Sequence, residues 1–178
     1  MHRPEDPGTR LSSASEAHLF SHVTVGTNDL ERATAFYDAV LKPLGLRQRI
    51  VAPDGGPPAA CWLAPATSLP RFYVYSPFDG LPAGAGNGGM AAFLAPSPEA
   101  VDAAHAAGMS NGGADDGAPG PRPRYGLGYY GAYLRVPDGN KIHVVHRGDL
   151  QAGAPADNHP CEALLPTNLI HVLKPPSS

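Results

Sequence analysis

The hydrophobic period changes several times along the chain, and the order of those changes predicts its elements. LFSHVTVG, Leu19 to Gly26, alternates with period two, so Phe20, His22 and Thr24 share one face and Ser21, Val23 and Val25 the other, as in a strand. TNDLERATAFYDAVLKPLG opens on an Asn/Asp cap and repeats apolar residues at helical spacing, Leu30, Ala33, Phe36, Tyr37, Val40 and Leu41, until Pro43 and Gly45 stop it. Three short strands are predicted next, around Leu46 to Ala52, Ala59 to Ala64 and Arg71 to Ser76, parted by Pro/Gly segments.

After the linker LPAGAGNGG the order begins again. Gly89 to Ala95 reads as a strand, and PSPEAVDAAHAAGMSNGG as a helix with Ser97 near its cap and Val101 and Ala104 on its apolar side. A short segment near Ala114 to Gly117, a loop APGPRPRYG, a strand Gly128 to Val136, a PDGN turn and a strand Lys141 to His146 complete it. Strand, helix and three strands thus occur twice, offset by roughly seventy residues, which points to a duplication.

Composition adds limits. The 21 Gly and 21 Pro mark the loops and tails. Residues 1–17 are expected to be a disordered N-terminal tail, 18–147 one domain, and 148–178 a Pro/Ala-rich C-terminal extension whose apolar patch, Leu164 to Val172, suits docking on the domain or on a second subunit. With 13 basic against 16 acidic residues and no basic stripe, a nucleic-acid partner is not indicated, and a small-molecule partner becomes the default. No apolar run approaches the roughly 20 residues that cross a bilayer. The opening MHRPEDPGTRLSSASEAH lacks the apolar core of a signal peptide, so the expectation is a cytoplasmic protein with no membrane partner. Cys61 and Cys161 form no CxxC pair, which argues against a zinc knuckle or a disulfide scaffold.

FSHVTVGTNDLERATAFYDAVLKPLGL is similar to the opening of vicinal-oxygen-chelate proteins, the superfamily of glyoxalase, bleomycin resistance protein and extradiol dioxygenase. AAFLAPSPEAVDAAHAAGMSNGG, the GAPGPRPRYG loop and GYYGAYLRVPDGNKIHVV resemble that family's second half, and the resemblance covers about residues 19–147. It implies an α+β fold of two βαβββ modules, 18–80 and 88–147, whose curved mixed sheets form a cup-shaped cavity around a metal and a substrate, often in a homodimer.

The resemblance also implies where a metal would sit. The first-strand ligand, commonly His, matches His22, while the fifth-strand His is replaced by Met90 and the last-strand Glu by His143. A carboxylate that some lyases carry on the fourth strand has no counterpart in RFYVYSPF. The implied cofactor is a divalent metal (Zn, Ni, Fe or Mn), with affinity weakened or lost. Two neutral imidazoles and a thioether make a softer, uncharged set than one containing an anionic carboxylate. Met90 then reads most simply as an apolar plug. Strand alternation places Lys141, His143 and Val145 on one face and sends His146 to the other.

Trp62, Tyr73, Tyr75, Tyr129 and Tyr133 fall on predicted strands, with alternate members expected to face the cup. Together with Arg135 they outline an apolar pocket with a few polar groups, which suits an organic or aromatic ligand better than a phosphate. Arg122, Arg124 and Tyr125 lie in a loop placed to act as a lid or simply as surface. Neither a nucleophile elbow nor a phosphate loop is present.

Two functions stay open. One is a divergent lyase or dioxygenase relative acting on a small oxygenated or aromatic compound through a non-standard metal site, with His143 as its catalytic base. The other is a metal-free binding or sequestering protein of the bleomycin-resistance type. Two histidines at ligand positions favour the first.

Overall fold

The computed structural model describes residues 19–52 and 55–150. The readings made for the two tails, including Leu164 to Val172 and Cys161, lie outside the described residues. Helix α1 (Leu30–Leu41) begins where the Asp29 carboxylate accepts from the Arg32 amide at 3.0 Å, and it buries Ala33, Phe36, Tyr37, Val40 and Leu41. Those positions recur three and four apart, so one apolar stripe faces inward. Helix α2 (Pro98–Ser110) starts likewise, with Ser97 accepting from the Ala100 amide and Pro98 in the first turn.

Strands β1 (His22–Gly26), β2 (Arg47–Arg49), β3 (Ala59–Leu63) and β4 (Arg71–Tyr75) form one sheet, in the order β1-β4-β3-β2. Strands β5 (Met90–Leu94), β6 (Ala114–Pro121), β7 (Tyr129–Arg135) and β8 (Lys141–Arg147) form the other, in the order β5-β8-β7-β6. Each sheet is mixed, since β1 runs parallel to β4 and β5 to β8 while the remaining pairs are antiparallel. The two βαβββ modules expected from the element order are therefore present.

One element is longer than the sequence indicates. The segment at Ala114 continues as strand through Pro121, with irregular register at Gly117 and Gly120. It carries little apolar alternation because it lies at the sheet edge, where Gly, Pro and bulges are tolerated and β7 supplies the packing.

Both helices pack between the sheets in a single core. Phe36, Tyr37, Trp62, Phe72 and Val74 of the first module join Phe93, Val101, Leu134, Ile142 and Val144 of the second. The Phe72 and Phe93 rings meet edge to face at 5.0 Å, and Tyr37 packs on Phe36, Trp62 and Phe72. The helices cross closely at Gly108, where a Cβ would stand 2.7 Å from Leu134 Cδ1 and 3.3 Å from Val40 Cγ2.

A polar clamp joins the modules beside this core. Asp138, in the β7–β8 turn, accepts from the Thr27 hydroxyl at 2.7 Å, the Asn28 amide at 3.1 Å and Arg32 Nη2 at 3.2 Å. Asn140 of the same turn donates to the Gly26 carbonyl at 3.0 Å. The Asp138 side chain is 3 % exposed, so the charge depends on these donors. Asp138→Ala should lower unfolding free energy by about 2 kcal/mol, because it removes three charge-assisted hydrogen bonds that join the modules, whereas Arg32→Ala, at the half-exposed end, should cost less than about 1 kcal/mol. Urea denaturation of both variants measures the difference.

Candidate functional site

With one face of each sheet committed to the core, alternation sets which side chains the other face presents. In the first sheet, Thr24 pairs with Tyr73, Tyr73 with Cys61 and Cys61 with Arg49, a row on the open face. The row beside it runs His22, Arg71. In the second sheet, Ala92 pairs with His143 and His143 with Tyr133, and the neighbouring row runs Met90, Lys141, Arg135. The two halves therefore match register for register. Met90 occupies the position of His22, Lys141 that of Arg71 and His143 that of Tyr73.

His143 is held in a ring stack. Its imidazole lies 4.3 Å from the Tyr133 ring, nearly parallel at 14°, and 6.0 Å from Tyr129 at 22°. The notch between the two tyrosines exists because residue 131 is glycine: a Cβ there would stand 2.6 Å from His143 Nε2. The side chain is 3 % exposed, and Nε2 is buried without a hydrogen-bond partner. Burial, followed by the charges of Arg122 and Lys141, lowers its pKa from the ordinary 6.5 to about 4. The ring is a neutral imidazole at physiological pH.

The other expected site residues are distributed differently. His22 is exposed on β1, with Nδ1 3.1 Å from Ser21 Oγ and its ring edge-on to Tyr73 at 5.7 Å. Met90 is 47 % exposed on β5 rather than plugging a cavity. Tyr73 accepts from Arg71 Nη1 at 3.1 Å. Arg135 donates to Asp116 at 2.8 Å, and Lys141 lies 3.1 Å from the same carboxylate. Trp62 belongs to the helix side, fully buried, with Nε1 donating to Asp38 at 2.7 Å. His146 sits on the face opposite His143, with Nδ1 3.2 Å from the Ala95 carbonyl oxygen.

Five of the predicted site residues thus fall into two groups. Tyr129, Tyr133 and His143 form one cluster, and His22 with Tyr73 another. The sequence reading missed Gly131, Asp116 and Arg71. Arg71 was accessible to the alternation that selects Tyr73 and Tyr75, since all three share one phase of β4.

Comparison with known proteins addresses the family. The family model described as Glyoxalase/Bleomycin resistance protein/Dioxygenase superfamily matches residues 19–144. The chain belongs to this superfamily. A glyoxalase/bleomycin resistance protein from Albidiferax ferrireducens T118 is 45 % identical, with a TM-score of 0.62, over 73 % of this chain and 99 % of that one. Lactoylglutathione lyase from Agrobacterium tumefaciens shares the fold at 19 % identity and a TM-score of 0.52, over 78 % of this chain and 100 % of that one. A glyoxalase/bleomycin resistance protein/dioxygenase family enzyme from Burkholderia phytofirmans PsJN does so at 20 % and 0.51, over 71 % and 96 %. No curated protein matches the chain.

The superfamily's usual divalent metal does not fit the residues present. Of the matched positions His22, Tyr73, Met90 and His143, none carries a carboxylate, and His143 Nε2 is enclosed against Gly131. Arg71 and Lys141 place a positive charge one strand over from His22 and from Met90. Among the described residues, no three His, Cys, Asp or Glu side chains gather as a metal site would require. A hard cation needs anionic oxygen donors, and the environment here repels a cation instead.

The depressed pKa of His143 fixes a pH dependence of stability. Above its ordinary 6.5, folded and unfolded chains both hold the ring neutral. Between 6.5 and about 4 the unfolded chain binds the proton and the folded one does not, so stability falls as pH falls through that window, and the loss from this group is complete near pH 4. The expected loss is on the order of 3 kcal/mol. Urea midpoints from pH 7 to pH 4 should converge between the parent and His143→Phe. A constant gap between them would contradict the assignment.

Proposed function

We propose that this protein is a metal-free small-molecule-binding member of the glyoxalase/bleomycin resistance superfamily, the second of the two functions open from sequence. The observation that carries the reading is the enclosure of His143, wedged between Tyr129 and Tyr133 with Nε2 against Gly131. A base or metal ligand needs an open lone pair aimed at its target, and at Nε2 that direction is taken up by Gly131. What remains on the open faces is aromatic and cationic, a surface that recognises ligands without Lewis-acid chemistry. Zn, Mn, Ni and Fe contents measured on protein purified without chelators should lie far below one ion per chain. Added Zn(II) or Mn(II) should leave the melting temperature unchanged. Stoichiometric metal that disappears in His22→Ala or His143→Ala would overturn the reading.

The open face of the second sheet supports a homodimer. Met90 and Leu94 of β5, 47 % and 67 % exposed, are large apolar side chains at a sheet edge, and in solution such a surface invites a partner. A second copy covering it would turn an open face into one wall of a cup. Sedimentation equilibrium at micromolar concentration should return a dimer, and Leu94→Glu should shift it toward monomer with an unchanged circular dichroism spectrum. A monomeric parent would refute this part.

A further inference from the structure

We infer that the open face of the first sheet carries a binding cleft for a single-ring aromatic carboxylate. The inference rests on the small-molecule reading above and names the chemistry of the ligand. The cleft lies where the chain leaves β2, with a volume of about 160 Å3, and is lined by Arg49, Ile50, Val51, Cys61, Arg71 and Tyr73 together with Ala52. A cavity of about 150 Å3 is enough to hold benzene, so the space matches one six-membered ring.

Its charge is unbalanced. Arg71 uses Nε on the Ser68 carbonyl at 3.0 Å and Nη1 on the Tyr73 hydroxyl at 3.1 Å. Both acceptors are neutral oxygens. Among the described residues no carboxylate lines the cleft, and neither Arg49 nor Arg71 forms an ion pair. Lys141, which stands in the matching register of the second sheet, shares the Asp116 carboxylate with Arg135.

Two guanidiniums beside the Tyr73 ring and Val51 fit an anion with a flat body. The carboxylate takes charge-assisted hydrogen bonds from Arg71 and Arg49, while the ring packs on Tyr73 and Val51. A phosphate or sulfate would satisfy the cations and leave the Tyr73 ring without a partner. A neutral ring would pack on Tyr73 and leave the cations unpaired.

The test is isothermal titration calorimetry of the full chain with benzoate, benzamide and cyclohexanecarboxylate, with amide chemical-shift mapping of the bound site. Benzoate should bind at least about tenfold more tightly than neutral benzamide and more tightly than the puckered cyclohexanecarboxylate. Arg49→Gln and Arg71→Gln should each weaken benzoate by about tenfold with an unchanged melting temperature, and Arg124→Gln, on the second module, should have no effect. Shifts should centre on Arg49 to Ala52 and Arg71 to Tyr73. Equal affinity for benzoate and benzamide, affinity unchanged in both cleft variants, shifts confined to the second sheet, or no benzoate binding would each overturn the proposal. The broader reading fails separately, through stoichiometric metal, so the two failures are distinguishable.

Discussion

The edge of Phe72 against Phe93 is where two half-sized modules become one domain. A four-stranded sheet with one helix buries little apolar surface and is marginal on its own. Here α1 and α2 lie against each other, and Leu134 reaches into the space left by Gly108. Because both helices and the helix-facing side chains are used in this joint core, every other row of residues on the sheets is left for something else. The Asp138 clamp fixes the same relationship with polar bonds, tying the turn before β8 to the turn before α1. The strand that carries His143 and the strand that carries His22 are thus held in one frame.

That frame changes what the two histidines mean. Counted along the chain, both occupy positions where the superfamily keeps ligands. In register His22 pairs with Arg71, whose positive charge disfavours a bound cation, and Lys141, two residues before His143 on the same strand, helps keep the His143 imidazole unprotonated. His143 instead fills a slot between two phenol rings, an arrangement available only because Gly131 has no side chain. The exchange of Glu for His at this position replaces an outward anionic donor with a packed aromatic wall.

Most of the fold was legible because each element carries its own period, cap or breaker: Asp29 and Ser97 do at the helix starts what their residue types predict. The edge strand β6 was only partly legible, since ADDGAPGP encodes no apolar alternation and owes its pairing to β7. In the candidate site, alternation correctly grouped Lys141, His143 and Val145. It could not say which phase of β3 faces the helix, and that choice, set by the packing of Trp62 on Tyr37 and Phe72, moves Trp62 out of any pocket on the open face. Cross-strand partners such as Asp116, which pairs with both Arg135 and Lys141, lie beyond the reach of local pattern altogether.

Duplication makes that last point sharper. Matched registers predict matched chemistry, and the basic pair Arg71 and Lys141 keeps the symmetry. Asp116 breaks it: in the second module Lys141 is held in an ion pair within the protein, and the tyrosines there stack on a histidine. In the first module no carboxylate among the described residues lines the equivalent place, and Tyr73 lies beside a cleft. A guanidinium with no carboxylate partner gains more from a bound anion than a lysine already held in an ion pair does. One aspartate therefore sets matched registers apart, occupying Lys141 in the second sheet while Arg71 in the first keeps donors for an anion.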